Sequence, residues 1–350
     1  MIETSQLRRR PGALATVLLA AATLTLTACV ATETSPTNSE TPAATVTEGI
    51  DLSLFVDGAI VGEPAIVDCT LSDGAVATCY EITISGDPTD HEVGPFCPST
   101  ITTSADDAGI WFDGDNLYSL DGAFIENLAT TYNDTGWHMY DADGNVYVTD
   151  TAEAFAAAAQ PQVDPAYQNY CIEGSFDFLD GGVPIQQTVT IPTTPVLASA
   201  AGTSNNNLGI TLDGVIIAPA APVSNILGAY TIAAFDQCGG HFNPFEGYHL
   251  HGAVGCSEVG TALEGETAMF GYAFDGFPVY SPYSDEELAN VTLDECGGHT
   301  TEELGYHYHA QSAEKNLVIK CLVGQYVATD DGAPAGGPPA GGPPAGGPNG

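Results

Sequence analysis

The chain has almost no positive charge. Five Lys and Arg stand against 45 Asp and Glu among 350 residues, a formal net charge of −40. Three of the five are Arg8, Arg9 and Arg10, which leaves only Lys315 and Lys320 beyond the amino-terminal stretch. No basic patch can form to neutralise phosphates, which excludes unaided binding to nucleic acid. Docking on anionic lipid through protein charge is excluded for the same reason. The acids are dispersed rather than blocked, as on a strongly solvated surface. No segment after the amino terminus is apolar enough to span a membrane, and no sustained helical periodicity runs through the chain. Cys-x-x-Cys, Gly-x-Ser-x-Gly, His-Glu-x-x-His and a phosphate-binding loop are all missing, so no familiar catalytic signature assigns a reaction.

The two ends read as segments outside the fold. Arg8–Arg10, the apolar stretch Ala13–Leu26 and the ending Leu26-Thr27-Ala28-Cys29 form a secretory signal over residues 1–28. Its close resembles a bacterial lipobox, which would place a lipid on Cys29 and make that anchor the chain's only membrane contact. The expected location is the cell envelope, outside the cytoplasm. Residues 29–49, rich in Thr, Ser, Pro and Glu, read as a flexible tether. Residues 331–350 repeat Pro, Ala and Gly, a composition that cannot build a core. Roughly 280 residues remain to fold.

Within them, turn signals such as Ser72-Asp73-Gly74, Asp113-Gly114, Asp121-Gly122 and Asp143-Gly144 separate short strand-like pieces. Those pieces are Ala59–Val67, Thr78–Ser85, Gly109–Phe112 and Asn145–Thr149. Short helices are expected at Ala152–Ala159 and Ser284–Asn290, and a hairpin at Gly209–Leu212, Asp213-Gly214 and Val215–Ile217. The fold class is mainly β with minor helix, divided into a β-rich region over 50–182 and a second domain over 183–330. Asp141-Ala-Asp143-Gly-Asn145 hints at a calcium loop, but its Gly comes too early for an EF-hand, and an Asp-Gly hairpin turn fits better.

Setting aside Cys29, eight cysteines remain: Cys69, Cys79, Cys97, Cys171, Cys238, Cys256, Cys296 and Cys321. An even number in an exported chain reads as disulfides, although eight cysteines allow on the order of 100 pairings.

The strongest signal is an internal repeat. Residues 236–251 and 294–309 align without a gap at an offset of 58, and nine of sixteen positions agree. The shared pattern is Asp-x-Cys-Gly-Gly-His…Gly-Tyr-His-x-His, and it holds six of the chain's eight histidines: His241, His249, His251, His299, His307 and His309. In an extended Tyr-His-x-His the two imidazoles share a face. The His of Gly-Gly-His supplies a third donor, since Gly-Gly permits a sharp turn. Three imidazoles suit a divalent transition metal such as nickel or iron, with zinc and copper first among the candidates. The pattern leaves open two separate sites or one shared site. Asp236 and Asp294 are expected to accept the second ring N–H of a ligand. Cysteine order makes Cys238–Cys256 and Cys296–Cys321 the simplest pairs, one per repeat. Cys69–Cys79 would close a hairpin, leaving Cys97–Cys171. Between the repeats, Gly271-Tyr-Ala-Phe-Asp275-Gly276 reads as a strand and turn, with Asp275 a candidate base or ligand. His91 and His138 stand alone and read as ordinary surface or core residues.

Gly305-Tyr306-His307-Tyr308-His309, preceded by Asp294-Glu-Cys296-Gly-Gly-His299 and Gly271-Tyr-x-x-Asp275-Gly, resembles the YHYH-domain proteins. Val67-Asp-Cys69-Thr-Leu-Ser-Asp-Gly74 and Gly94-Pro-Phe-Cys97-Pro98 resemble the longer members of that family, so the likeness runs over residues 60 to 325. The first copy departs at Leu250, a position that faces away from the His pair. The resemblance implies an exported location and the domain's identity; it supplies no reaction. Three functional readings follow. One is an envelope lipoprotein that binds a transition metal, and another is a metal-dependent enzyme with Asp275 as base. The third is a structural or adhesive surface module whose histidines are core hydrogen-bonders.

Overall fold

A computed structural model describes residues 49–160, 162–203, 206–258 and 265–327. The signal and lipobox, nearly all of the tether and the Pro/Gly/Ala tail lie outside these residues.

Turn chemistry and strand alternation dictate most of the path. β1 (Ala65–Thr70) and β2 (Val76–Ile84) flank the Asp73-Gly74 turn as an antiparallel hairpin. β3 (Ile110–Phe112) and β4 (Leu117–Ser119) flank Asp113-Gly114 in the same way. Asp121-Gly122 behaves differently from the turn expected there. The Asp121 carboxylate accepts the Phe124 N–H at 2.8 Å and starts the helix α1 (Gly122–Thr131). A short acidic side chain is a good helix N-cap, and Phe124, Ile125 and Leu128 bury the inner face. α2 (Ala152–Ala158) follows, capped by Thr151. Asn145–Thr149, expected as a strand, forms only isolated bridges. The Asp141 carboxylate accepts the backbone N–H of Asp143 and of Asn145, each at 2.9 Å, which makes that segment a turn.

β5 (Cys171–Ile172), β6 (Gln187–Pro192) and β7 (Leu197–Thr203) lead into the second half. There β8 (Gly209–Thr211), β9 (Ile216–Ile217), α3 (Val223–Gly228), β10 (Ile232–Ala233), β11 (Gly240–Asn243) and β12 (Gly247–Leu250) follow one another. The order then repeats as β13 (Met269–Ala273), β14 (Pro278–Tyr280), α4 (Asp285–Leu288), β15 (Gly298–Thr301) and β16 (Gly305–His309), and β17 (Cys321–Gly324) closes the chain. Eight of these strands form one sheet in the order β11-β12-β9-β8-β13-β14-β16-β15. The order is a palindrome. β8 and β13 pair antiparallel at the centre, each continues into a hairpin (β9 and β14), and each hairpin pairs in parallel with the inner strand of a motif hairpin. The internal repeat is therefore larger than its sequence signature. Gly209-x-x-x-Asp213-Gly214 matches Gly271-x-x-x-Asp275-Gly276 at an offset of 62 rather than 58, so an ungapped comparison stops short of it.

One core joins this sheet to β2 and β6, through Ile82, Ile84, Val189 and Ile191 against Ile210, Phe274, Phe277 and Tyr308. A second core gathers Trp111, Phe112, Leu128 and Phe235 beneath α1. Pairing of β2 with β6 and of β5 with β10 ties the front half to the back. Four disulfides, Cys69–Cys79, Cys97–Cys171, Cys238–Cys256 and Cys296–Cys321, follow the pairs suggested by cysteine order. They fit an oxidising compartment outside the cytoplasm. No described helix is long and apolar enough to cross a membrane.

Candidate functional site

Each motif copy folds as a hairpin, and its residues explain the local geometry. Gly239 and Gly297 adopt φ of 84° and 93°, which an L side chain rarely tolerates. The next glycines, Gly240 and Gly298, lie under the Tyr248 and Tyr306 hydroxyls, where any Cβ would collide with the ring. His241 then pairs directly across the hairpin from His249, and His299 from His307. His251 and His309, two residues further on, share the face of their neighbours. The outcome is two separate triads, one per copy.

In the first triad the three Nε2 atoms form a nearly equilateral triangle. The edges are 3.1 Å for His241–His249, 3.0 Å for His249–His251 and 3.2 Å for His251–His241. The far ring nitrogens fix the tautomer. His249 Nδ1 faces the Gly247 carbonyl at 3.0 Å, and His251 Nδ1 faces the Pro219 carbonyl. A carbonyl only accepts, so Nδ1 carries the proton and the Nε2 lone pair points into the triangle. Burial, followed by repulsion from the neighbouring imidazoles, holds His241 and His251 well below the ordinary histidine pKa, and burial lowers His249 as well. The inward lone pairs of His249 and His251, 3.0 Å apart, repel each other unless a cation or a proton sits between them. A triangle of that edge has room for an ion about 2.0–2.1 Å from all three corners, the usual zinc–imidazole distance.

The second triad repeats this arrangement and adds a carboxylate. His299 and His309 Nε2 are 3.2 Å apart, and Glu266 Oε2 lies 3.3 Å from His307 Nε2, 3.2 Å from His309 Nε2 and 3.7 Å from His299 Nε2. His307 Nδ1 donates to the Gly305 carbonyl at 3.1 Å and His309 Nδ1 to the Ser281 carbonyl at 3.2 Å. Burial lowers His307 and brings His309 down to about 4. Burial alone would raise Glu266, but the Tyr283 hydroxyl (2.6 Å) and the imidazoles outweigh it and hold the carboxyl below its ordinary value. No short motif marks Glu266. It precedes β13, and only the sheet topology brings it beside His307.

Both donor sets suit a transition metal: two buried imidazoles and one half-buried imidazole in the first site, three imidazoles and a carboxylate in the second. They also differ in access. The imidazoles of His241, His249 and His251 line a cavity of about 290 Å³, whereas Glu266 occupies the fourth side of the second triad.

Three expected roles are corrected. Asp236 and Asp294 do not hold ligand ring nitrogens. Asp236 accepts the Tyr248 hydroxyl at 2.7 Å and the Cys238 and Gly240 N–H groups; Asp294 accepts the Tyr306 hydroxyl at 2.8 Å and the Cys296 and Gly298 N–H groups. The pleat turns each tyrosine away from the adjacent histidine, so the aspartates brace the opposite face of the hairpin. Asp275 is likewise not at a triad. Fully buried, it accepts the Tyr308 hydroxyl at 2.6 Å and the Gly324 N–H at 2.8 Å, and burial raises it to about 6. Its counterpart Asp213 is also raised to about 6 by burial and accepts from Thr211 and Ser257. Of the lone histidines, His91 Nδ1 sits 2.5 Å from Asp90, and His138 Nδ1 donates to the Gly136 carbonyl at 2.7 Å.

The model of the family described as YHYH protein matches residues 188–292, a stretch that carries the central hairpins, the first triad and the Asp275 turn and ends just ahead of the second motif copy. No curated protein and no solved structure matches the chain.

Proposed function

We propose, on the premise that residues 188–292 form a YHYH domain, that this protein is an envelope lipoprotein, anchored through Cys29, that holds zinc or copper ions in its two histidine triads. The observation that carries this reading is the closed triangle of Nε2 atoms, 3.0–3.2 Å on each edge, with the lone pairs of His249 and His251 aimed inward by Nδ1–H bonds to backbone carbonyls. Structural histidines normally spend a lone pair on a donor, and in the first triad the His249 and His251 Nε2 atoms, both acceptors, face each other at 3.0 Å. The exported location is supported by the four disulfides, and the strongly acidic chain would draw cations toward its surface.

Metal content measured by mass spectrometry on the oxidised protein tests the proposal. The parent should carry two equivalents, one per triad. The His249→Ala/His251→Ala variant should carry one, and addition of His307→Ala/His309→Ala should leave none. A parent that takes up no zinc, copper, nickel or iron would leave the triads as core hydrogen-bonders and favour a structural surface module.

A further inference from the structure

We propose that the two triads have diverged, the second being closed around its metal and the first receiving a ligand. The cavity beside His241, His249 and His251 takes a small, uncharged, mainly apolar molecule whose single lone-pair atom completes the first metal's coordination. The inference rests on the metal reading above.

Donor count is the first reason. Glu266 gives the second triad a fourth ligand and brings a negative charge to it, and four protein donors make a closed site. The first triad contributes three neutral imidazoles, the number that leaves a coordination position open. At that triad no carboxylate of the described residues joins the imidazole cluster, and the sheet abuts a cavity.

The cavity's wall supplies the second reason, because one side of it, from the end of α2 and from β5, comes from outside the repeat. Ala158 and Ala159 at the end of α2, Ile172 of β5 and Ile226 of α3 enclose it together with Phe242 and Ala218. β5, and Phe235 stacked on Phe112 at 4.0 Å, hold the front half against this copy, and Phe235 also packs on the His241 ring at 4.6 Å. The front half thus builds a chamber onto one member of a duplicated pair.

Size and charge define the ligand. About 290 Å³ is roughly twice the ~150 Å³ cavity that admits one benzene, so a two-ring molecule fits. Among the described residues no Lys or Arg lines the cavity, so apart from the metal itself no cationic group recruits an anion. The one carboxylate, Glu246, has each oxygen engaged, by the Asn207 and Asn243 amides at 2.8 Å, so little remains to select a cation. Alanine, proline, isoleucine and phenylalanine make up most of the remaining wall, which is the lining expected for a neutral, mainly apolar guest.

The test uses the oxidised full-length chain loaded with cobalt(II), whose visible spectrum reports its coordination, and benzimidazole at mildly alkaline pH as a neutral two-ring azole. Benzimidazole should shift the bands of protein lacking the second triad (His299→Ala, His307→Ala, His309→Ala) in a saturable way. It should leave unchanged the bands of protein lacking the first (His241→Ala, His249→Ala, His251→Ala). In the otherwise unaltered chain, Ala159→Phe fills the cavity away from the ligands. It should keep full cobalt uptake while weakening benzimidazole about tenfold or more. Cobalt uptake with no benzimidazole response at the first triad, with equal response at both, or with no effect of Ala159→Phe, overturns this inference alone. Failure of either triad to take up cobalt overturns the metal reading and this inference with it.

Discussion

Tyr308→Phe removes one oxygen from the middle of the fold and separates what braces the sheet from what binds the ion. Tyr308 stands between two ligands in sequence but points to the opposite face. Its hydroxyl donates to the buried Asp275 carboxylate at 2.6 Å and accepts the Val323 N–H at 2.7 Å. The substitution deletes a charge-assisted bond worth about 1.5–3 kcal/mol and leaves the half-buried Val323 N–H without its acceptor at a cost of about 1 kcal/mol, so roughly 2.5–4 kcal/mol should be lost at neutral pH. The loss has a ceiling. Asp275 already titrates at about 6 because burial raises it, and removing the tyrosine donor pushes it higher. A carboxyl raised above its unfolded value contributes stability that is complete at low pH and disappears as pH rises through the folded pKa. The penalty of Tyr308→Phe should therefore be smaller at pH 5 than at pH 8. Urea unfolding of both proteins at the two pH values, with disulfides intact, measures it, and metal uptake should be unchanged. A penalty below about 1 kcal/mol, or one larger at pH 5, would refute the assignment of Asp275 as a structural anchor; so would loss of metal from a folded variant.

Further expectations follow from the same geometry. Glu266→Gln keeps the shape of the second site but removes its charge, and should weaken metal there about tenfold to hundredfold while leaving the first site unaltered, as measured by competition with a chelator. In metal-free protein His309 titrates at about 4 against an ordinary 6.5, so its contribution to stability is present above 6.5 and is lost as pH falls toward 4. Asp213 and Asp275, at about 6 against 3.8, act in the opposite sense below about 6. The buried histidines outnumber these carboxyls and dominate between about pH 6 and 7, where melting temperature should fall on acidification, and less so in His309→Gln. Replacing Cys97 and Cys171, 74 residues apart, by Ser should cost about 4 kcal/mol. Replacing Cys69 and Cys79, 10 apart, should cost about 3 kcal/mol by loop entropy, and chemical denaturation would rank the two.

The six histidines were legible because two periodicities converge in the motif. Strand alternation puts His249 with His251 and His307 with His309, and Gly-Gly marks the turn that returns His241 and His299 across the hairpin. Two of the cysteine pairs, Cys238–Cys256 and Cys296–Cys321, were legible because each repeat is followed by one further cysteine. Other features needed the chain folded. Asp236 and Asp294 lie close enough in sequence to serve either face of the hairpin, and only the pleat assigns them to the tyrosines. Asp121-Gly122 carries the composition of a turn, yet the carboxylate caps a helix because Phe124, Ile125 and Leu128 have a core to enter. The matching Gly-x-x-x-Asp-Gly hairpins were hidden because their offset differs by four residues from that of the histidine motif. Glu266 had no local signature at all, since a parallel crossover in the sheet delivers the triad beside it.

Anomalous diffraction recorded above and below the absorption edge of the bound metal, on crystals of the oxidised protein, tests the central claim most directly. Two peaks are predicted, each about 2.0–2.2 Å from three imidazole Nε2 atoms, one among His241, His249 and His251 and the other among His299, His307 and His309 with Glu266 beside it. Metal-loaded crystals with no peak in either triad, or with peaks only at surface carboxylates, would contradict the account.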